Sequence, residues 1–141
     1  MELNDHIVVP APPHSVFPLV ADLGSYPLWL TIIDAVGAVE GGWVIDLRGR
    51  IGVVSRSKRL RMERTAFQAD RHVRFERNER DGRDHAAWTL DVRLDAAGGD
   101  ATELTMVLGY TGRLWGPVFE RMLAAEISAA KGRLVALVGP R

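Results

Sequence analysis

The chain has 141 residues with 18 basic and 18 acidic side chains, so no net charge draws it to nucleic acid or an anionic membrane. It has no cysteine, which excludes disulfides, thiolate nucleophiles and cysteine-based metal sites. The length fits a single domain, residues 1–141. The N-terminus lacks the pattern of a signal peptide, and the apolar-rich stretch 114–138 carries five charges. We therefore expect a cytoplasmic domain without a transmembrane segment.

Two short helices are predicted after the first strand. Pro13 suits the first turn of a helix over residues 13–22, where its missing N–H costs nothing. Pro18 removes a hydrogen bond inside that helix, so we expect the helix to be short or kinked. Gly24 fits its end, and Ser25 fits the N-cap of a second helix through the sequence SYPLWL.

Alternating apolar and polar side chains predict seven strands. The expected ranges are residues 3–9, 34–40, 43–51, 57–67, 72–79, 85–94 and 102–111. Gly41-Gly42 and Asp81-Gly82 are two-residue hairpin signals. A long helix over 117–137 follows, with apolar side chains at spacings of three and four. Strands in hairpins followed by one long helix indicate an α+β domain with an antiparallel sheet.

A two-residue turn at Asp81-Gly82 would pair Phe75 with Trp88, and the next hairpin would then pair Trp88 with Leu108. Because alternate side chains share a face, one face of the sheet is apolar and is expected to lie under the long helix. Its members are Val73, Phe75, Ala86, Trp88, Leu90, Val92, Leu104, Met106, Leu108 and Tyr110.

Several polar side chains share this inner face. Arg77 and Glu79 have the same parity as the apolar set, and Lys58 and Arg64 point inward beside Leu60 and Met62 on the preceding strand. A charge on the core side is costly unless it is paired or hydrated. Either these residues reach solvent at strand ends, or the interior holds water and a ligand, with Arg77 and Tyr110 as polar anchors.

The four histidines show no metal-ligand spacing, and no nucleophile turn or phosphate-binding loop is visible. We expect neither a metal nor a cofactor.

Residues 48–64 hold seven of the 18 basic side chains and one acidic side chain, Glu63. Such a patch can meet a phosphate headgroup, a membrane surface or RNA. The alternative is a solvated outer sheet face whose charges discourage edge-to-edge aggregation. No aromatic side chain interleaves the patch, which argues against single-stranded nucleic acid as a partner.

Small side chains are frequent on the long helix. They are Ala124, Ala125, Ser128, Ala129 and Gly132. They admit a close neighbour, either a strand or the second subunit of a homodimer, or they leave space between the helix and the sheet. Monomer and homodimer both stay open. Well-packed interiors rarely leave large voids without a functional cause, so space there favours a cavity.

Four segments, in this order, resemble the helix-grip fold of the START-like superfamily, also called SRPBCC. They are IVVPAPPHSVFPLVADLGSYPLWL (7–30), AAWTLDV (86–92), ATELTMVLGY (101–110) and GPVFERMLAAEISAAKGRLVALV (116–138). Within the superfamily the chain is similar to the small polyketide cyclase/dehydrase-like branch and, in outline, to birch-pollen-allergen proteins. The resemblance covers essentially the whole chain. It implies a sheet curved around the last helix, an apolar cavity between them, and a rim built partly by the short helices near Tyr26 and Trp29.

The first functional hypothesis is the binding or transport of a hydrophobic small molecule, such as a lipid, sterol-like or polyketide-like compound. Arg77 and Tyr110 would orient a polar group of this ligand. The predicted apolar and aromatic contacts are Tyr26, Trp29, Ile45, Leu47, Phe75, Trp88, Leu90, Met106, Leu108, Phe119 and Leu123.

Two other functions stay open. The first is a polyketide aromatase/cyclase in which Arg77, Tyr110 and Glu79 orient carbonyls or polarise an enol. The second is the toxin of a toxin–antitoxin pair, with the patch 48–64 as its working surface. Fold alone does not choose among these functions.

Overall fold

A computed structural model of the protein describes residues 2–112 and 117–138. These residues form seven strands, two α-helices and one short helix of the 3-10 type. In chain order the elements are β1 (Glu2–Val9), α1 (Pro13–Ala21), the short helix (Leu23–Leu28), β2 (Ile33–Val39), β3 (Gly42–Ile51), β4 (Val54–Gln68), β5 (His72–Arg77), β6 (Trp88–Ala96), β7 (Thr102–Tyr110) and α2 (Pro117–Val138).

The strands form one antiparallel sheet in the order β1-β7-β6-β5-β4-β3-β2. Every neighbouring pair except β1–β7 is consecutive in the chain, so hairpins build most of the sheet. The first two helices carry the chain from one edge strand, β1, to the other, β2. The long helix α2 packs against β1 and β3 on the inner face. The predicted α+β helix-grip architecture is confirmed.

The predicted register of the central strands is wrong by two residues. Phe75 pairs with Leu90 and not with Trp88. Trp88 pairs with Tyr110, and Leu90 pairs with Leu108. Because a shift of two residues keeps every side chain on its original face, the predicted inner face is correct within the strands: Phe75, Trp88 and Tyr110 are all buried. Ala86, which was predicted to belong to it, lies in the loop before β6.

The shift arises in the connection between β5 and β6. Residues 78–87 form a longer loop, where the sequence had indicated a two-residue turn at Asp81-Gly82. Within this loop Arg80 has a positive φ of 56°, and the Asp81 carboxylate accepts a hydrogen bond from the Arg83 N–H at 2.9 Å. Asp81 therefore organises a local turn inside the loop and does not close a tight hairpin.

Aromatic side chains cap the C-terminus of α1. The last carbonyls of a helix have no partner within it. The indole Nε1 of Trp29 donates to the Leu19 carbonyl at 3.0 Å, and the Tyr26 hydroxyl donates to the Val20 carbonyl at 2.8 Å. Both rings are fully buried, so the short helix folds back and closes the end of the helix before it.

Arg64 completes this cap from the sheet. Its Nη1 donates to the carbonyl of Ala21, the last residue of α1, at 3.1 Å. The guanidinium also lies over the Phe67 ring, 4.4 Å from its centroid. Arg64 thus carries its charge to the end of a helix, where carbonyl groups favour a cation. The inward-pointing charge of Arg64 is therefore explained without a hydrated cavity.

The predicted boundaries of the first two helices need correction. Helix α1 runs through Pro18 and stops at Ala21, before Gly24. Asp22, not Ser25, caps the short helix, because its carboxylate accepts a hydrogen bond from the Gly24 N–H at 2.8 Å.

The small residues of α2 do not face the sheet. Ala124, Ala125, Ser128, Ala129 and Gly132 are exposed. The inward stripe consists of Leu123, Ile127, Ala130 and Leu134. The expectation that small side chains create space beneath the helix is therefore wrong for these positions. None of the described helices combines the length and apolar character needed to span a bilayer.

Candidate functional site

An apolar cavity of about 50 Å³ lies between the inner face of the sheet and α2. Every one of its described lining residues is apolar. They are Leu3, Leu23, Leu30, Ile32, Ile33, Ile45, Leu47, Leu60, Met62, Trp88, Leu90, Met106, Leu108, Leu123 and Ile127.

The alternation of the strands and the pitch of the helix place these side chains. Ile45 pairs with Leu60 across β3 and β4, so both project to the same face. Leu123 and Ile127 lie four residues apart on the same side of α2 and line the cavity opposite the sheet. Most of the lining is buried, whereas Leu3 and Leu108 are partly exposed.

Seven of the predicted ligand contacts lie in this lining. They are Ile45, Leu47, Trp88, Leu90, Met106, Leu108 and Leu123. Sequence reasoning placed Leu60 and Met62 on the inner face by parity but did not assign them to the site. Ile127 repeats the helical spacing of Leu123 and was available from the same signal. Sequence reasoning also left out five residues near the ends of the sheet. Leu3 and Ile33 lie on the edge strands β1 and β2, Leu23 begins the short helix, and Leu30 and Ile32 lie in the connection that leads to β2.

The rings of Tyr26 and Trp29 lie outside the cavity lining. They pack on each other with centroids 4.7 Å apart, and Tyr26 meets Phe75 edge to face at 6.1 Å. Burial raises the pKa of Tyr26, so its hydroxyl stays protonated and donates to α1. The segment reaches the cavity through Leu23 and Leu30 instead. Phe75 packs against Tyr26 and Trp43 and does not line the cavity either.

Tyr110 also lies behind the cavity wall. Its ring stacks on Trp88 at 5.0 Å with an interplanar angle of 19°. Burial, followed by the charge and hydrogen bond of Glu120, raises the pKa of Tyr110 to about 12. A Tyr hydroxyl in this state donates a proton in a hydrogen bond to a carboxylate. The hydroxyl that the cyclase hypothesis assigned to polarising an enol is thus engaged with Glu120, and Tyr110 does not line the cavity. The side chain of Phe119 lies outside the described part of the structure.

Arg77 is partly buried and paired, at the end of β5. Its Nε lies 2.6 Å from the Glu79 carboxylate, and its Nη1 donates to the Ala86 carbonyl at 3.2 Å. The Glu79 carboxylate also accepts the Arg61 backbone N–H at 3.1 Å. Burial alone would raise the pKa of Glu79, but Arg77 and Arg61 together lower it. This network fixes the loop 78–87, and neither Arg77 nor Glu79 lines the cavity.

The basic patch 48–64 is partly neutralised by neighbouring strands. Arg59 pairs with Asp46 at 2.9 Å, and Arg48 pairs with Asp34 at 3.5 Å. Arg61 pairs with Glu63. Sequence counting missed both aspartates because they lie outside the patch or across the sheet. Most of the basic residues of the patch that have no acidic partner within the described chain lie near the turn between β3 and β4.

Two of the histidines contact carboxylates on the outside of the sheet or in the loop 78–87. His72 Nε2 lies 2.7 Å from the Asp91 carboxylate, and His85 Nε2 lies 2.8 Å from that of Asp81. Within residues 2–112 and 117–138, no group of three potential metal ligands comes together.

The fold is shared with solved structures that include a START protein. The structure is similar to a START superfamily protein from Mycobacterium smegmatis (15% identity, TM-score 0.71, covering 97% of this chain and 96% of that one). It is similar to a conserved protein from Geobacillus kaustophilus (16% identity, TM-score 0.74, covering 98% and 95%). It is also similar to an aromatase/cyclase from a Streptomyces species (14% identity, TM-score 0.68, covering 98% and 93%). At these identities the likeness establishes the fold alone.

The family follows from the sequence itself. Residues 2–139 match the model of the family described as polyketide cyclase/dehydrase and lipid transport. The protein belongs to that family. None of the curated proteins matches the chain significantly.

Proposed function

We propose that the protein binds or transports a hydrophobic small molecule, lipid-like or polyketide-like, in the cavity beneath α2. The observation that carries this proposal is a lining that is wholly apolar among the described residues, enclosed between a sheet and a terminal helix. Small-molecule sites are usually concave and mainly apolar. Membership of a family described by lipid transport supports the same ligand class.

The volume of the cavity implies that α2 moves when a ligand enters. Ligand pockets typically measure roughly 300–1,000 Å³, whereas this cavity measures about 50 Å³. The polar contacts that tie α2 to the rest of the chain include Lys131 with Asp5 at 2.5 Å, Thr31 with Glu126 at 3.0 Å, and Arg133 with the Trp29 carbonyl at 3.4 Å. The hydrogen bond between Tyr110 and Glu120 adds a further contact near the start of the helix.

These polar contacts add little to the cost of moving the helix away from the sheet, which comes mainly from its buried apolar side chains. Thr31 and Glu126 meet at an exposed position, and an ion pair near the surface contributes little to stability. Beneath the helix lie leucine, isoleucine and methionine side chains, which repack around a guest without losing any hydrogen bond. Met62 and Met106 are especially adaptable because their chains are unbranched.

Binding is favoured over cyclase chemistry by the position of the polar groups. Proton transfer requires a titratable side chain within hydrogen-bond reach of the substrate. Among the described residues, none lines the cavity. Arg77 pairs with Glu79, Tyr110 forms a hydrogen bond with Glu120, and none of the three lines the cavity. A catalytic role for them therefore stays a prediction. The cytoplasmic location is likewise part of this proposal.

A titration with a fluorescent fatty-acid analogue tests the proposal. Binding should change the emission of Trp88, which lines the cavity, and native mass spectrometry should show one bound analogue per chain. Extraction of natively purified protein should release an apolar compound. A wild-type chain that neither retains such a compound nor binds the analogue would overturn the proposal.

A matched pair of variants locates the site. Leu108→Phe adds volume within the lining and should weaken analogue binding by at least about tenfold, because the void is small. Leu137→Phe makes the same change on the exposed side of α2, where Leu137 is 45% exposed, and should leave binding unchanged. Equal effects of the two variants would place the bound molecule elsewhere.

A further inference from the structure

The turn between β3 and β4 presents apolar side chains to solvent. Ile51 pairs with Val54, so the turn consists of Gly52 and Val53 alone. Gly52 has a φ of 59°, as the first central position of a type II′ turn requires. Val53 is 97% exposed and Val54 is 41% exposed. Val53 therefore lies at the apex of a long hairpin, where the fold of this chain does not bury its side chain.

Cations surround this apex. The segment from Leu47 to Lys58 contains four basic residues and no acidic residue. Within the described chain, Arg50 and Lys58 have no acidic partner, and Arg56 donates only to the adjacent Ser55 carbonyl. We name residues 50–58 the β3–β4 tip.

The free cations lie on both faces of the hairpin. Arg50 has the parity of the exposed outer face of β3, with Arg48. Arg56 and Lys58 have the parity of Leu60, which points to the inner face. Basic side chains thus lie beside the apolar apex on both faces of the hairpin. Basic residues farther from the turn, such as Arg59, are paired with acidic side chains.

We propose that the β3–β4 tip docks on the surface of a lipid bilayer that contains anionic lipids. Unpaired Arg and Lys side chains are attracted to anionic headgroups. An exposed valine between them can enter the boundary between headgroups and acyl chains, where apolar side chains gain from leaving water.

A bilayer explains this combination better than nucleic acid does. Phosphate contacts would use the cations, but they would leave Val53 and Val54 exposed. Proteins that bind single strands stack bases on aromatic rings, and the β3–β4 tip contains none. The docking surface is separate from the cavity lining, so this proposal stands or falls independently of the proposed ligand.

Flotation of the full chain with lipid vesicles tests the docking. The protein should float with phosphatidylcholine vesicles that contain phosphatidylglycerol and not with pure phosphatidylcholine vesicles, and high salt should weaken the binding. Equal recovery with both kinds of vesicle, or none with either, would overturn the proposal. Binding to an RNA oligomer without binding to vesicles would overturn it in favour of nucleic acid.

Charge reversal at matched positions distinguishes docking through the β3–β4 tip from a general effect of net charge on vesicle binding. The double variant Arg50→Glu and Arg56→Glu should lower the partition coefficient on the anionic vesicles by at least about tenfold, since each basic residue near the surface matters. The double variant Arg71→Glu and Arg83→Glu changes the net charge equally, at exposed loop positions away from the tip, and should lose far less. Equal losses would contradict docking through the tip.

The apolar part has its own control. Val53→Asp should reduce vesicle binding several-fold without altering the fold, because the side chain contacts almost nothing within the chain. Val39→Asp places the same charge at the opposite end of the β2–β3–β4 meander, where Val39 is 40% exposed, and should bind more tightly than Val53→Asp. If the two valine variants bind alike, the apex does not enter the bilayer.

Discussion

The inner face of the sheet is covered by two regions that differ in kind. Under α1 and the short helix, aromatic rings fill the space, and their polar atoms donate to helix carbonyls. Under α2, the side chains that meet are apolar, and a cavity remains among them. We call these the filled region and the cavity region.

The difference suggests a division of labour within one sheet. A buried hydrogen bond holds its partners in one arrangement, because leaving either group unsatisfied is costly. Apolar contacts are not directional and can be exchanged for contacts with a guest. We therefore expect the filled region to keep its geometry while the cavity region changes with its contents. Four predictions test this, in decreasing order of expected effect on stability.

Phe75→Ala should lower the free energy of unfolding by about 3–5 kcal/mol, as loss of a fully packed aromatic side chain does. Phe75 is fully buried between Tyr26 and Trp43. Leu108→Ala, beside an existing cavity and partly exposed, should cost less than half as much. Urea denaturation measures both, and equal losses would erase the distinction between the regions.

Tyr26→Phe should lower the free energy of unfolding by about 1–3 kcal/mol, because it leaves the buried Val20 carbonyl without a partner. The ring itself is retained, so the change isolates the hydrogen bond. Analogue binding should be unaffected, since Tyr26 does not line the cavity. Weaker analogue binding without loss of stability would indicate that Tyr26 contacts the ligand.

Acid should destabilise the outer face behind the filled region. Burial would raise the pKa of Asp91, but the hydrogen bond and charge of His72, with Arg93 and Arg74, lower it. A lowered carboxyl pKa stabilises the fold above the ordinary value near about 4, and this stability is lost as the pH falls through the lowered value.

Asp91→Asn should therefore cost about 1–2 kcal/mol at neutral pH and flatten the loss of stability in acid. Asp95→Asn, an exposed carboxylate on the same strand, serves as the control and should change neither. Thermal unfolding from neutral pH down to well below about 4, the ordinary carboxyl pKa, gives the comparison. An unchanged acid profile for Asp91→Asn would contradict the assignment.

Lys131→Met should cost at most about 1 kcal/mol, because it removes a single partly exposed ion pair. It releases the ion pair that ties α2 to Asp5 of β1, so stopped-flow exchange of the fatty-acid analogue should become faster. Unchanged exchange would indicate that the guest does not enter by separation of α2 from β1.

Much of the fold could be predicted from local patterns. The alternation along β5, β6 and β7 assigned the inner face correctly even though the pairing of Phe75 with Trp88 was wrong, because a shift of two residues preserves parity. The spacing of Leu123 and Ile127 likewise identified the inward stripe of α2. The small residues of α2 misled, because composition alone does not say which side of a helix faces the sheet.

The sequence by itself determined the order of the elements, the antiparallel sheet and the apolar character of its inner face, since these follow from periodicities of a few residues. Only the tertiary structure decided which apolar side chains border a void. Their size suggested that Tyr26 and Trp29 form cavity walls, yet both donate to carbonyls of α1, and Tyr26 packs against Phe75 on the distant strand β5. Whether a ring fills space or encloses it depends on how distant segments meet, and no local pattern records that.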